Sequence, residues 1–192
     1  GPSSALYGSD GLAGAILYIT KDPSDLASEN DVYQSVTAGY DSDNEHSKVS
    51  YLAANVGEKM EGLIQITARD VSETELHDDA AKKPNPFSGE QSSIFLKGKY
   101  LINDNLGLTL TYDTQESEGD WNLNSTLGTS GYPQMVSTTS SIGDDDISRD
   151  RVSLSLDFSA DSGLFDNGSF SIYSQDTDQR QVTTIDLSLI HI

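Results

Sequence analysis

Residues 106–113 read LGLTLTYD, and their period decides the fold class. Leu106, Leu108, Leu110 and Tyr112 fall on one face of an extended chain; Gly107, Thr109, Thr111 and Asp113 fall on the other. RVSLSLDF, residues 151–158, repeats the pattern, with Val152, Leu154, Leu156 and Phe158 opposite Arg151, Ser153, Ser155 and Asp157. In GLIQITARD, residues 62–70, Ile64, Ile66 and Ala68 oppose Gln65, Thr67 and Arg69, while QSVTAGY, 34–40, alternates more softly through Val36, Ala38 and Tyr40. No stripe of helical period accompanies these segments. The chain reads as all-β, with strands near 31–41, 47–56, 61–71, 91–101, 105–116, 149–160 and 168–180.

The connections between these strands differ in length. Short ones, GEKM (57–60), NDN (103–105) and DSGLFDN (161–167), alternate with long ones at about 72–90 and 117–148. If consecutive strands are antiparallel neighbours, the short turns gather at one end of the sheet. The long loops and the DSDNEH turn (41–46) then gather at the other. Outer-membrane barrels have this asymmetry, with short periplasmic turns and long extracellular loops. Strands of about ten residues, tilted by about 45°, span such a membrane. Tyr40 and Tyr112 fall at the outer ends of their strands, and Tyr100 and Phe158 at the inner ends, where aromatic girdles sit. A β-sandwich, as in a secreted adhesin or carbohydrate-binding module, also alternates and is the soluble alternative.

Charge and composition remove other classes. The 192 residues hold 11 Lys+Arg against 31 Asp+Glu, a formal net charge of -20, which argues against nucleic acid and against a polybasic hold on anionic lipid. With no cysteine there is neither a disulfide framework nor a thiolate metal site. No apolar run is long enough for a transmembrane helix, and no leader opens the sequence. No nucleophile elbow, H-E-x-x-H or phosphate loop is present, so the chain is not read as an enzyme.

The first residues add a resemblance. GPSSALYGSDGLAGAILYITKDP, residues 1–23, resembles the end of the plug domain of TonB-dependent outer-membrane receptors, a block of the form G-P-x-S-x-x-Y-G-x-x-x-x-G-G-x-I-x-x-x-T-K. Gly1, Pro2, Ser4, Tyr7, Gly8, Gly14, Ile19, Thr20 and Lys21 fill most of it, and Ala13 replaces the first of the usual glycine pair. Glycine's freedom suits the turn that Gly8, Gly11 and Gly14 would make against other backbone. Within that family, YGSDGLAGAILYITKDPSDL (7–26) and KKPNPFSGEQSSIFLKGKYLINDNLGLTLTYD (82–113) resemble the haem/haemoglobin (transferrin or lactoferrin) receptor branch.

The resemblance implies a fragment: the C-terminal end of the plug at 1–22, a plug–barrel linker at 23–30, and the first strands of an antiparallel transmembrane β-barrel at 31–186. About seven strands of a larger wall are expected here, the whole having twenty-two around a plugged lumen. LSLIHI, residues 187–192, resembles a translated sequencing-library adapter and is read as a non-native tail.

It also implies energy-coupled uptake of an iron source, haem or haem from a haemoprotein before a ferric siderophore. The partners implied are the TonB–ExbB–ExbD complex, the ligand, and the lipid and lipopolysaccharide of a Gram-negative outer membrane. No resident cofactor is implied, since haem would be cargo. Such receptors often hold haem by histidine or tyrosine, but no ligand motif aligns on His46, His77 or His191, so none is assigned. GDDDIS (143–148) puts Asp144, Asp145 and Asp146 together without the alternating spacing of a calcium loop, and is read as a solvated acidic loop. The five acids Glu118, Asp120, Asp144, Asp145 and Asp146 stand without Lys or Arg across 117–148, which disfavours an anionic ferric siderophore. Arg69, Arg151, Lys97 and Lys99 are candidates to line the lumen as counter-charges to plug carboxylates. Trp121 reads equally as a ligand contact or a membrane-edge anchor. No catalytic, cofactor-binding or metal residue is assigned.

Overall fold

The computed structural model describes residues 20–73, 85–130, 136–159 and 166–189. Eight strands form one antiparallel sheet: β1 (Asp31–Asp41), β2 (His46–Val56), β3 (Met60–Ser72), β4 (Phe87–Asn103), β5 (Leu106–Asn122), β6 (Gly128–Ser130), β7 (Val136–Ser159) and β8 (Asn167–Leu189). The order is β1-β2-β3-β4-β5-β7, with the short β6 and the long β8 both pairing β7. The seven strands expected from periodicity are all present. Each of β1 and β8 pairs on one side only within this sheet.

Register settles which residues share a face. Met60, Tyr100, Leu108, Leu156 and Phe170 are successive partners across β3, β4, β5, β7 and β8. The next row up that face runs Val32, Asn55, Gly62, Gly98, Leu110, Leu154 and Ile172, and the one above it Gln34, Ala53, Ile64, Leu96, Tyr112, Val152 and Ser174. Above that come Val36, Tyr51, Ile66 and Ile94, continued by the polar Thr114 and Asp150. The result is an apolar belt on one side of the sheet. Many of its members are open to the surroundings, among them Val36 (71%), Leu110 (53%) and Ile172 (60%). No second layer covers the belt among the described residues, whereas a β-sandwich would bury it.

The belt's upper border slants. On β1 it reaches Tyr40, whose row runs through Ser47, Asp70, Glu90 and Glu118 to Asp146 on β7. On β7 the last apolar member is Val152, six residues short of Asp146 after five strand-to-strand steps. At about 3.3 Å per residue and 4.8 Å per strand, that slope is about 40°. Strands of a transmembrane barrel tilt by about 35–45°. The sheet therefore has the stagger of a barrel wall segment.

The long loops are shorter than sequence periodicity suggested. The stretch 117–148 was expected to be a loop, but β5 runs on to Asn122 and β7 begins at Val136. Likewise β4 starts at Phe87 rather than near 91. These extensions are largely polar on both faces, so they carry no sustained apolar alternation. Pairing continues because the backbone ladder does not depend on it. At the opposite end the turns are tight: Gly57 N–H donates to Met60 O at 2.8 Å, and only Asp104 and Asn105 separate β4 from β5.

Candidate functional site

The other face of the sheet is polar and carries the site. On β4 it presents Gln91, Ser93, Phe95, Lys97 and Lys99, and on β5 Thr109, Thr111, Asp113 and Gln115. Residues 20–30 lie against this face near the tight-turn end as a short strap. Pro23 is fully buried, and Ala27 is buried with Ala54, Val56 and Leu63. A single 3-10 turn, Pro23–Asp25, starts the strap, with Pro supplying its fixed φ and the Asp22 N–H donating to Asp25 Oδ2 at 2.8 Å. Asn30 ends it in the left-handed conformation (φ 62°), which Asn tolerates, and its N–H donates to Val56 O at 2.7 Å.

Two lysines clamp the strap. Lys97 Nζ donates to Asp22 Oδ1 (2.8 Å), Lys21 O (3.1 Å) and Thr20 O (3.2 Å). Lys99 Nζ donates to the second carboxylate oxygen of Asp22 at 2.9 Å. Both lysines reach one carboxylate because residues two apart on a strand share a face. Lys97 is 8% exposed, and such burial of an ammonium requires the three acceptors it has. Burial alone would raise the Asp22 carboxyl; the hydrogen bonds and charges of Lys97 and Lys99 outweigh it and hold that carboxyl below its ordinary range.

Above the strap, a cavity of about 500 Å³ opens on the same face, lined by Thr20, Leu63, Gln65, Phe95, Asp113 and Arg149 among others. Arg149 Nη2 donates to Asp113 Oδ1 at 3.0 Å across β5 and β7. Further out, Phe87 and Trp121 face each other across β4 and β5, with ring centroids 4.2 Å apart. The pair rests on glycines: a Cβ at Gly119 would lie 2.8 Å from Phe87 Cε2, and one at Gly143 3.5 Å from Trp121 Cβ. Asn85 and Ser125 brace the same region through two hydrogen bonds, of 2.8 and 2.9 Å.

Of the lumen candidates, Lys97 and Lys99 meet a carboxylate of the strap. Arg151 lies over the Tyr173 ring at 5.0 Å, and Arg69 is exposed on the same polar face. Trp121 turns to this polar face and not to the belt side. The acidic run Asp144–Asp146 lies within β7 rather than in a loop, and strand alternation sends its carboxylates to opposite faces. Among the described residues no cluster of three or more His, Asp or Glu is placed to hold a metal ion. His46 opens β2, its N–H donating to Asn44 Oδ1 at 3.2 Å; His77 and His191 lie outside the described residues, as do residues 1–19 with the plug-like block. Leu187–Leu189 continue the pairing of β8 with β7. Asp22, Asp113, Arg149 and Phe87 were not singled out from the sequence. The K-x-K spacing of Lys97 and Lys99 was the one signal that pointed toward the clamp.

No family model matches the chain. It is similar to hemoglobin-binding protein A of Haemophilus influenzae, 29% identical over 126 aligned residues, the alignment covering 60% of this chain and 12% of that protein. It is also similar to the probable hemoglobin and hemoglobin-haptoglobin-binding protein 1 (27% over 136 residues) and to hemoglobin and hemoglobin-haptoglobin-binding protein C (26% over 136 residues) of Haemophilus influenzae. Each of these two alignments covers 62% of this chain and 13% of the relative. The resemblance to the haem/haemoglobin receptor branch is thus borne out by relatives named for binding haemoglobin. The alignments take in about an eighth of the length of these curated relatives.

Proposed function

We propose that this chain is part of a TonB-dependent outer-membrane receptor that imports haem taken from haemoglobin. The observation that carries the reading is the uncharged apolar belt. It slants across the sheet at barrel tilt, with a polar face behind it on which the N-terminal strap is clamped. In this reading the belt meets lipid and, at its upper border, lipopolysaccharide. The polar face lines the lumen, residues 1–22 end the plug, 23–30 link it to the wall, and the wall occupies 31–186. The extended β4, β5, β7 and β8 rise outside the membrane to meet the haemoprotein, and TonB–ExbB–ExbD acts on plug regions upstream. Relatives named for haemoglobin supply the ligand class. The acids of the outer extensions weigh against an anionic ferric siderophore as cargo.

The test uses the full-length protein that contains this chain, produced in the outer membrane of an iron-starved host without its own haem receptor. Growth on haem or haemoglobin that disappears when TonB is disabled is the expected result. Growth on a ferric siderophore instead would favour the siderophore alternative, and growth indifferent to TonB would contradict energy-coupled import.

A further inference from the structure

We propose that the Lys97–Asp22–Lys99 clamp is the fixed end of the N-terminal segment, where traction on residues upstream of Thr20 is taken up by β4 before it reaches β1. This rests on the reading above that those residues belong to a movable plug. The strap leads from Asp22 to the first residue of β1 in nine residues. Tension arriving at Asp31 would load the terminal ladder bonds of β1, which open one at a time from that end. The clamp instead diverts it into β4, a strand paired on both sides: Lys97 stands between Leu63 and Thr111, and Lys99 between Glu61 and Thr109.

The bonding suits that role. Lys97 grips two main-chain carbonyls, Thr20 O and Lys21 O, so the backbone itself is held and not only a side chain. Asp22 spends each carboxylate oxygen on a different lysine, so displacing it breaks two charged bonds together. Just downstream, Pro23 and Ala27 are buried against the wall and Asn30 is bonded to Val56 O. The strap is therefore a pinned element. Lys97 and Lys99 are positioning residues that act through Asp22.

The experiment places a cysteine at the buried Ala27 of the full-length receptor and follows its reaction with a maleimide. In purified protein, Asp22→Asn and the Lys97→Met/Lys99→Met pair are expected to speed labelling about tenfold or more relative to the intact clamp. An unchanged rate would overturn the proposal. In cells taking up haem, the cysteine is expected to stay protected with the clamp intact and to label in a TonB-dependent way in Asp22→Asn, a readout that a merely structural contact would not move. TonB-dependent labelling with the clamp intact would show that it opens, and would overturn the proposal. Heat-modifiable migration of each variant checks that the wall has formed, and Lys99→Met alone, which keeps the three Lys97 contacts, supplies a milder variant. Absence of haem uptake by the unmodified receptor counts against the transport reading alone; the labelling rate in purified protein still decides the clamp.

Discussion

Asp22 and Lys97 are 75 residues apart in the chain and 2.8 Å apart in the fold. That one ion pair joins the segment preceding the sheet to the middle of the sheet. Replacing Lys97 by Met removes its charge and three hydrogen bonds from a site only 8% exposed, and leaves the Thr20 and Lys21 carbonyls without their donor. The expected loss is about 1–3 kcal/mol, since Asp22 is partly solvated and keeps Lys99. Denaturant unfolding of the full-length protein in detergent micelles, compared with the unsubstituted protein, measures it.

The same carboxyl gives a pH dependence. Its depressed pKa means that the unfolded state binds a proton before the folded one does, so the clamp's contribution is fully present above the ordinary Asp value of about 3.9. That contribution is lost as pH falls through the lower folded value. Glu61, opposite Lys99 on β3, faces the same cluster. Strap release, followed by labelling at Ala27→Cys relative to the same protein unfolded at each pH, which cancels the thiol's own reactivity, is expected to be flat from pH 8 to about 5 and to rise only at and below about 4. Asp22→Asn is expected to abolish the acid rise.

The belt predicts a face-dependent response to charge. Leu110→Arg and Leu154→Arg put a cation on the apolar side, within the same row. Each is expected to cost about 2–4 kcal/mol in a bilayer. Ser153→Arg and Ser155→Arg, one residue to either side of Leu154, reach the polar face away from the clamp and are expected to change stability by less than about 0.5 kcal/mol. Unfolding of the four full-length variants from lipid vesicles separates the faces.

At the outer end, Gly119 is a seat for Phe87. A Cβ there would lie 2.8 Å from the ring, so Gly119→Val is expected to push Phe87 away from Trp121. A cost of about 1–3 kcal/mol follows from overpacking. The part of the near-ultraviolet circular dichroism lost in Trp121→Phe reports the change in the full-length protein, and that part unaltered by Gly119→Val would show that the rings do not pair.

The sequence made the belt legible because apolar and polar residues alternate, and Leu106 to Tyr112 or Val152 to Phe158 display that alternation in full. The tight turns were legible through GEKM and NDN. The outer extensions were not: from Ser117 to Asn122 and from Val136 to Ser148 both faces are largely polar, so a paired strand and a solvated loop read alike. The clamp needed the third dimension. Lys97 and Lys99 announced a shared face by their spacing, but nothing local to Asp22 shows that its partners lie three strands into the sheet. The Phe87–Trp121 contact likewise depends on the β4–β5 register, which an untemplated polar extension does not reveal.

The measurement that tests the wall most directly is a nitroxide scan of positions 106–113 in the full-length protein reconstituted in a bilayer, reading collision with oxygen and with a water-soluble nickel complex. Labels at 106, 108, 110 and 112 are predicted to meet oxygen and exclude nickel, and labels at 107, 109, 111 and 113 to do the reverse. Equal access of nickel to both sets, or oxygen and nickel profiles without a period of two, would contradict a lipid-facing belt and with it the receptor wall.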